Sequence, residues 1–450
     1  MQALARRARE PIDRFLAVEA ASGLLLVAVA AVAVVWANSP WHASYVAIWE
    51  TPVGVRAGSF AFERSLGWVV NDVLMVVFFF VVGLEIRREI HEGELSDWRR
   101  AALPVIAALG GMVAPAFIYI GVAGAPPTRS GWGVPMATDI AFAVGILSIL
   151  GPRVPPALRV LLLALAVIDD LGAIIVIAIF YSGGIQWGGI AAAVAALGVI
   201  FLMQRAGVRA TLAYVTPAAV AWAGTYAAGV HPTIAGVAVG LLTPVQAWFR
   251  PSDLRREAGR VLDRRHMAGA ASSTYELSES VRGLRRVVLE VRSPAARHLE
   301  ALHPWVAYGV MPIFALANAG VVIDAADLGV VEMRVVAGVV AGLVIGKPVG
   351  IVLACLGATR AGIAQLPVGI GAREVVVLGT VAGVGFTMAL FIGQLAFADD
   401  HLLAAAKVGV MGASVVAALL GLGLGWLLLV PARGVGEATA AVAGGSPPAT

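Results

Sequence analysis

The chain has 450 residues, 60% hydrophobic and 13% charged, with mean hydropathy +0.88 and formal net charge +4. Soluble domains carry about 25% charged residues, so the composition excludes them and indicates an all-α polytopic membrane protein. The single Cys355 excludes an intrachain disulfide and Cys/His metal centres, and the basic residues sit in loops between apolar stretches, which excludes a nucleic-acid-binding face.

Apolar patterning predicts twelve spans: 15–37, 66–84, 101–122, 133–151, 157–180, 188–204, 210–228, 233–249, 304–323, 334–356, 373–395 and 402–430. The basic stretch 1–14 precedes them. Because the first apolar run has no convincing cleavage site, it reads as a retained span. An even number of spans puts both termini on one side, and most of the 32 Lys and Arg then fall on that side, which assigns it to the cytoplasm of a cell inner membrane. Loop 38–65 faces outward with Trp41, Tyr45 and Trp49, and its Val53–Phe62 stretch can form a hairpin. It reads either as a plain interfacial loop or as a contact in a homodimer.

Span two holds Asn71 and Asp72, and its inner end carries Glu85, Arg88 and Glu89. Glu85 and Glu89, four apart, share a helix face and form either an interfacial charge cluster or the acidic mouth of a cation funnel. Asp72 lies deeper, as an ion-path residue or as a hydrogen-bond partner for a neighbouring helix. In span four, Pro135 weakens the helix before Thr138 and Asp139. Unwinding there gathers a hydroxyl, free carbonyls and a carboxylate, the oxygen ligands that hard cations prefer.

Span five places Asp169 and Asp170 mid-way along an apolar segment. One charged side chain at that depth costs about 3 kcal/mol on insertion scales. Two side by side also repel, so the pair suits a shared cation or protons and makes both residues candidate Na+ ligands. Consecutive helix residues point about 100° apart, so one acid can bind an ion while the other pairs with a protein cation. Lys347, mid-span before Pro348, is that cation.

His231 opens span eight, as a neutral-pH switch or as a helix-start histidine bonded to backbone. The Arg-rich linker 250–300 contains a predicted amphipathic helix at 278–291 and suits anionic lipid headgroups. Span nine buries Asn318 behind Pro312. Span eleven has Gly383 and Gly385 before Thr387, a second candidate for a broken helix. The Gly/Ala/Ser/Pro-rich tail 431–450 is predicted to be disordered. Interrupted spans four and eleven, central in 3–5 and 10–12, predict inverted-topology repeats whose discontinuous helices cross inside the protein. Asp139 is placed to offset the N-terminal helix ends there and Lys347 the C-terminal ones.

Several stretches together resemble the NhaA-type sodium/proton antiporters. They are Asn71-Asp72 through Gly83-Leu84-Glu85, Ala137-Thr138-Asp139-Ile140-Ala141-Phe142, Val167-Ile168-Asp169-Asp170-Leu171-Gly172, Gly229-Val230-His231, His303-Pro304-Trp305, Phe314-Ala315-Leu316-Ala317-Asn318-Ala319-Gly320, Gly346-Lys347-Pro348 and Gly385-Phe386-Thr387-Met388. The resemblance runs in order from about residue 15 to 430. It implies electrogenic, pH-regulated exchange of cytoplasmic Na+ or Li+ for external H+, without enzyme activity or cofactor. It further implies that Asp170 is the main ion ligand, that Lys347 pairs with Asp169, and that Thr138 and Asp139 lie at the helix crossing. Glu85, Arg88 and His231 match pH-response positions. One departure is the frame before His303-Pro304-Trp305, which reads His298-Leu299-Glu300, one place displaced from the family's Leu-Glu-His.

Two rivals share some of these features. An intramembrane aspartyl protease needs its two acids on separate helices and a Gly-x-Gly-Asp motif, and that motif does not occur. A sodium-coupled solute symporter needs polar residues beyond one ion site, and few are present.

Overall fold

The computed structural model describes residues 21–58, 60–247, 292–322 and 329–430. Segment 1–14, the predicted helix 278–291, most of linker 250–300 and the tail 431–450 lie outside the described residues.

Helix α1 (Ala21–Ala37) turns by 111° into the short α2 (His42–Glu50). Strands β1 (Pro52–Ala57) and β2 (Phe60–Ser65) follow as an antiparallel hairpin, pairing Pro52 with Ser65 and Gly54 with Glu63. Arg64 donates to the Tyr226 hydroxyl at 2.8 Å and lies over the Phe62 and Trp68 rings, fixing the hairpin to its neighbours. The loop 38–65 therefore contains the hairpin that its pattern allows.

Then come α3 (Leu66–Glu92), α4 (Trp98–Ala123), the 3₁₀ helix α5 (Thr128–Met136), α6 (Ile140–Leu150) and α7 (Pro156–Phe180). They are followed by α8 (Trp187–Arg205), α9 (Val215–Ala227) and α10 (Thr233–Leu242). The last group is α11 (Pro294–Asn318), α12 (Val330–Arg360), α13 (Ala372–Ala382), α14 (Phe386–Ala396) and α15 (Asp400–Leu428). Seven of these helices are long and apolar enough to cross a membrane, or up to ten if each of three bent pairs is one span. The chain is thus a multi-pass helical membrane protein.

Helix ends differ from the apolar limits where a cap or a charged turn extends them. α3 runs to Glu92, well past its apolar part. α11 starts at Pro294, inside the linker read as 250–300. Ser293 accepts from Ala296 N at 3.2 Å and Pro294 occupies the first turn, where its missing N–H costs nothing.

Close packing comes from small residues, the usual device where lipid gives helices no hydrophobic reason to associate. A Cβ on Gly350 of α12 would lie 2.1 Å from Gly110 O of α4, and one on Gly240 of α10 would lie 2.9 Å from Gly83 Cα of α3. These contacts bind α4 to α12 and α3 to α10, backbone against backbone.

Two of the three bent pairs have their breaks in the interior of the protein. α5 and α6 meet at 45° across Ala137–Asp139, and α13 and α14 meet at 49° across Gly383–Gly385. In the first, Ala137 and Asp139 are extended, and the Asp139 carboxylate caps α6 by accepting from Phe142 N at 3.2 Å. Asp139 N donates to Val384 O at 2.8 Å, so the two breaks lie directly against each other.

Candidate functional site

The paired breaks leave backbone groups without helical partners, and in a membrane interior the protein must supply them. It does so with a few side chains. Asp139 accepts from Thr387 N at 3.1 Å and from the Thr387 hydroxyl, besides capping α6. One carboxylate thus serves the N-terminal ends of α6 and α14, where helix dipoles favour negative charge. Ser414 of α15 accepts from Phe386 N at 3.2 Å. At the opposite ends, Lys347 Nζ donates to Met136 O, the last carbonyl of α5, and Thr138 Oγ1 lies 3.0 Å from Ala382 O, the last of α13.

The same Lys347 and Thr138 hold Asp169. The ammonium lies 2.6 Å from Asp169 Oδ2 and the Thr138 hydroxyl 2.7 Å from it. Lys347 and Asp169 are both fully buried. The lysine stem reaches past Gly111 of α4, where its Cε would lie 3.9 Å from an added Cβ. A hydroxyl has one proton, so Thr138 satisfies Asp169 or the Ala382 carbonyl, not both at once. Asp170 follows Asp169 on the unbroken α7 and is 2% exposed. Among the described residues, Asp169 Oδ1 and Asp170 Oδ1 are buried without a hydrogen-bond partner. Such atoms are costly unless something else fills their coordination. Asp139 and Glu85 lie within electrostatic reach of Asp170.

Asp169, Asp170, Thr138, Asp139, Lys347 and Thr387 therefore converge from α7, the first break, α12 and α14. The remaining sequence candidates lie elsewhere. Glu85 and Arg88 are half-buried toward the Glu92 end of α3. Glu89 accepts from Glu94 N at 2.7 Å, capping the end of its own helix. Among the described residues, the His231 ring makes no hydrogen bond to backbone. Its Nδ1 faces Asp72 Oδ1 at 4.0 Å, and its Nε2 is buried with no partner among the described residues. The carboxylate of Asp72 makes no interhelical hydrogen bond among the described residues, although its main-chain oxygen accepts from Trp222 at 3.1 Å. Asn71 takes that role, accepting from Asn318 at 2.8 Å. Arg292 pairs with Glu300 at an exposed surface.

Sequence reading missed four participants. Gln394 donates to Asn318 Oδ1, and its signal was a lone polar side chain in an apolar span. Ser414 gave the same signal more weakly. The Met136 and Ala382 carbonyls carry no sequence signal, since every residue has one.

A family model described as Na+/H+ antiporter 1 matches residues 13–425. The chain belongs to this family. It is similar to "Na(+)/H(+) antiporter NhaA 2" of Myxococcus xanthus (strain DK1622), 58% identical over 436 residues, covering 96% of this chain and 92% of the relative. The protein of the same name from Sorangium cellulosum (strain So ce56) is 52% identical over 96% of this chain and 92% of its own length. "Na(+)/H(+) antiporter NhaA" of Bordetella petrii is 47% identical over 96% and 94%. Membership makes the protein an antiporter rather than an enzyme, with Na+ and H+ as its ions, and argues against both the protease and the symporter.

Proposed function

We propose that this antiporter exports cytoplasmic Na+ or Li+ against entering H+, with Asp169 and Asp170 as the shared site for ion and protons. The observation that carries this reading is the pair of adjacent buried carboxylates, each with one oxygen that has no hydrogen-bond partner among the described residues. Those oxygens suit either protons or a hard cation. The Thr138 hydroxyl oxygen and Asp139 complete an oxygen-rich surround.

Lys347 acts as the resident cation. When the carboxylates are ionised and Na+ enters, the ion competes with the ammonium for Asp169. When protons return to both carboxylates, Na+ loses its ligands and leaves. Ion and protons exclude each other because they use the same oxygens. More than one proton leaving per Na+ bound makes the exchange electrogenic, and no step needs a nucleotide or cofactor.

The paired breaks act as the crossing of two discontinuous helices in inverted repeats, and one bundle moves against the other around them. The seven long helices, three bent pairs, α9 and α10 together make twelve spans, with both termini in the cytoplasm of an inner membrane. The exposed hairpin, braced on Tyr226, serves a homodimer contact. Glu85, Arg88 and His231 adjust the pH at which exchange begins, and the basic linker rests on anionic lipid.

The deciding experiment adds Na+, Li+ or K+ to everted vesicles that hold a proton gradient. The native protein collapses the gradient with Na+ and Li+, and Asp170→Asn does not. Full activity in Asp170→Asn refutes the site.

A further inference from the structure

Helix α14 joins the candidate ion site to a second polar layer. Thr387, Phe391 and Gln394 are spaced i, i+4 and i+7, on one face of the helix. Thr387 holds Asp139. One turn on, Phe391 is 1% exposed and packs against Phe79 at 5.2 Å, Phe314 at 6.1 Å and His231 at 5.3 Å between ring centres. A further turn on, Gln394 Nε2 donates to Asn318 Oδ1. Asn318 in turn donates to Asn71 Oδ1 at 2.8 Å and to Phe314 O at 2.9 Å. About 10 Å of helix rise separates Thr387 from Gln394. The layer lies toward the end of the molecule that carries the hairpin, since its α3 member, Asn71, is in the second turn of the helix that begins at Leu66 beside β2.

We propose that Gln394 is the moving member of an outer latch, closing the ion site on the hairpin side by engaging Asn318 over the Phe391 ring cluster. Asn318 and Asn71 form its fixed seat. Three observations support this. First, the contacts are neutral amides and rings, so parting them leaves no bare charge in the membrane interior. Second, the seat is tied to α3 and α11 by its own hydrogen bonds, whereas among the described residues Gln394 reaches it from α14 by one side-chain hydrogen bond beside the Phe391 ring contacts. Backbone-to-backbone glycine seams instead bind α3 to α10 and α4 to α12. Third, Asn71 lies in the π-helical turn Val69–Leu74, and such turns are frequent at functional positions. The latch rests on the exchange reading only in that something must shut the site from one side while the other is open.

The test uses full-length protein in proteoliposomes on a Cys355→Ser background. The pair Asn318→Cys with Gln394→Cys is bridged by a short thiol-reactive reagent whose bond a reductant reverses. Bridging should stop Na+-driven collapse of the proton gradient, and reduction should restore it. Bridging Arg56→Cys with Glu63→Cys, an exposed pair within the hairpin, should leave exchange running. Undiminished exchange with Gln394 tethered overturns the proposal and leaves the Asp170 site intact.

A second arm does not depend on transport. In right-side-out vesicles, a membrane-impermeant thiol reagent should label Thr387→Cys about fivefold faster when Gln394 is also changed to Ala, the population shift of one lost neutral hydrogen bond. Equal labelling rates overturn the latch even if the cysteine pairs are inactive before bridging.

Discussion

The centre of the molecule and its outer polar layer solve the same problem in opposite ways. At the centre, charges are matched to charges and to helix ends. Lys347 answers Asp169 and the Met136 carbonyl, and Asp139 answers two helix N-termini. In the outer layer, Asn71, Asn318 and Gln394 pass neutral hydrogen bonds from helix to helix above a ring cluster. A charge taken from water is tolerable only with a partner, so the centre is costly to disturb. Neutral amides part cheaply, so the outer layer suits opening and closing.

The largest effect tests the centre. Lys347→Ala strands Asp169 without its cation, and breaking one side of a buried pair costs about 3–5 kcal/mol. The variant should melt well below the native protein in detergent, and Lys347→Ala with Asp169→Ala should recover part of the loss. Equal melting of native and single variant would mean that the pair contributes nothing. Next comes the seam beside the centre. Gly350→Val drives a branched side chain toward the Gly110 carbonyl, and overpacking of this kind costs about 1–3 kcal/mol, read as a lower melting temperature.

Thr138→Val keeps the shape and removes one hydroxyl from Asp169 and Ala382. Loss of about 1–1.5 kcal/mol of hydrogen bonding predicts Na+ binding weaker by about tenfold in isothermal titration, with the fold intact. Acidity tests the shared oxygens directly. Each proton that Na+ displaces raises the apparent Na+ dissociation constant by about tenfold per unit fall in pH, over the range where the site is protonated. A constant indifferent to pH would separate ion from proton. The smallest effect is expected at Glu85: Glu85→Ala should leave maximal exchange near native and move only its pH profile.

Much of this was legible from residue order alone. Composition identified a membrane protein, and adjacent acids in an apolar segment marked Asp169 and Asp170, because charge at bilayer depth is rarely tolerated without use. Pro135 and the Gly383–Gly385 pair marked both breaks, since each weakens a helix locally. Tertiary structure alone decided which oxygen faces which donor. It brought Lys347 and Thr138 to the same oxygen of Asp169, chose Thr387 and Phe142 as the donors to Asp139, gave Glu89 the Glu94 N–H and brought Gln394 to Asn318. Those pairings join residues up to 248 positions apart, and they depend on carbonyls and N–H groups that every residue carries. Local pattern shows where a helix fails; only packing shows which distant group repairs it.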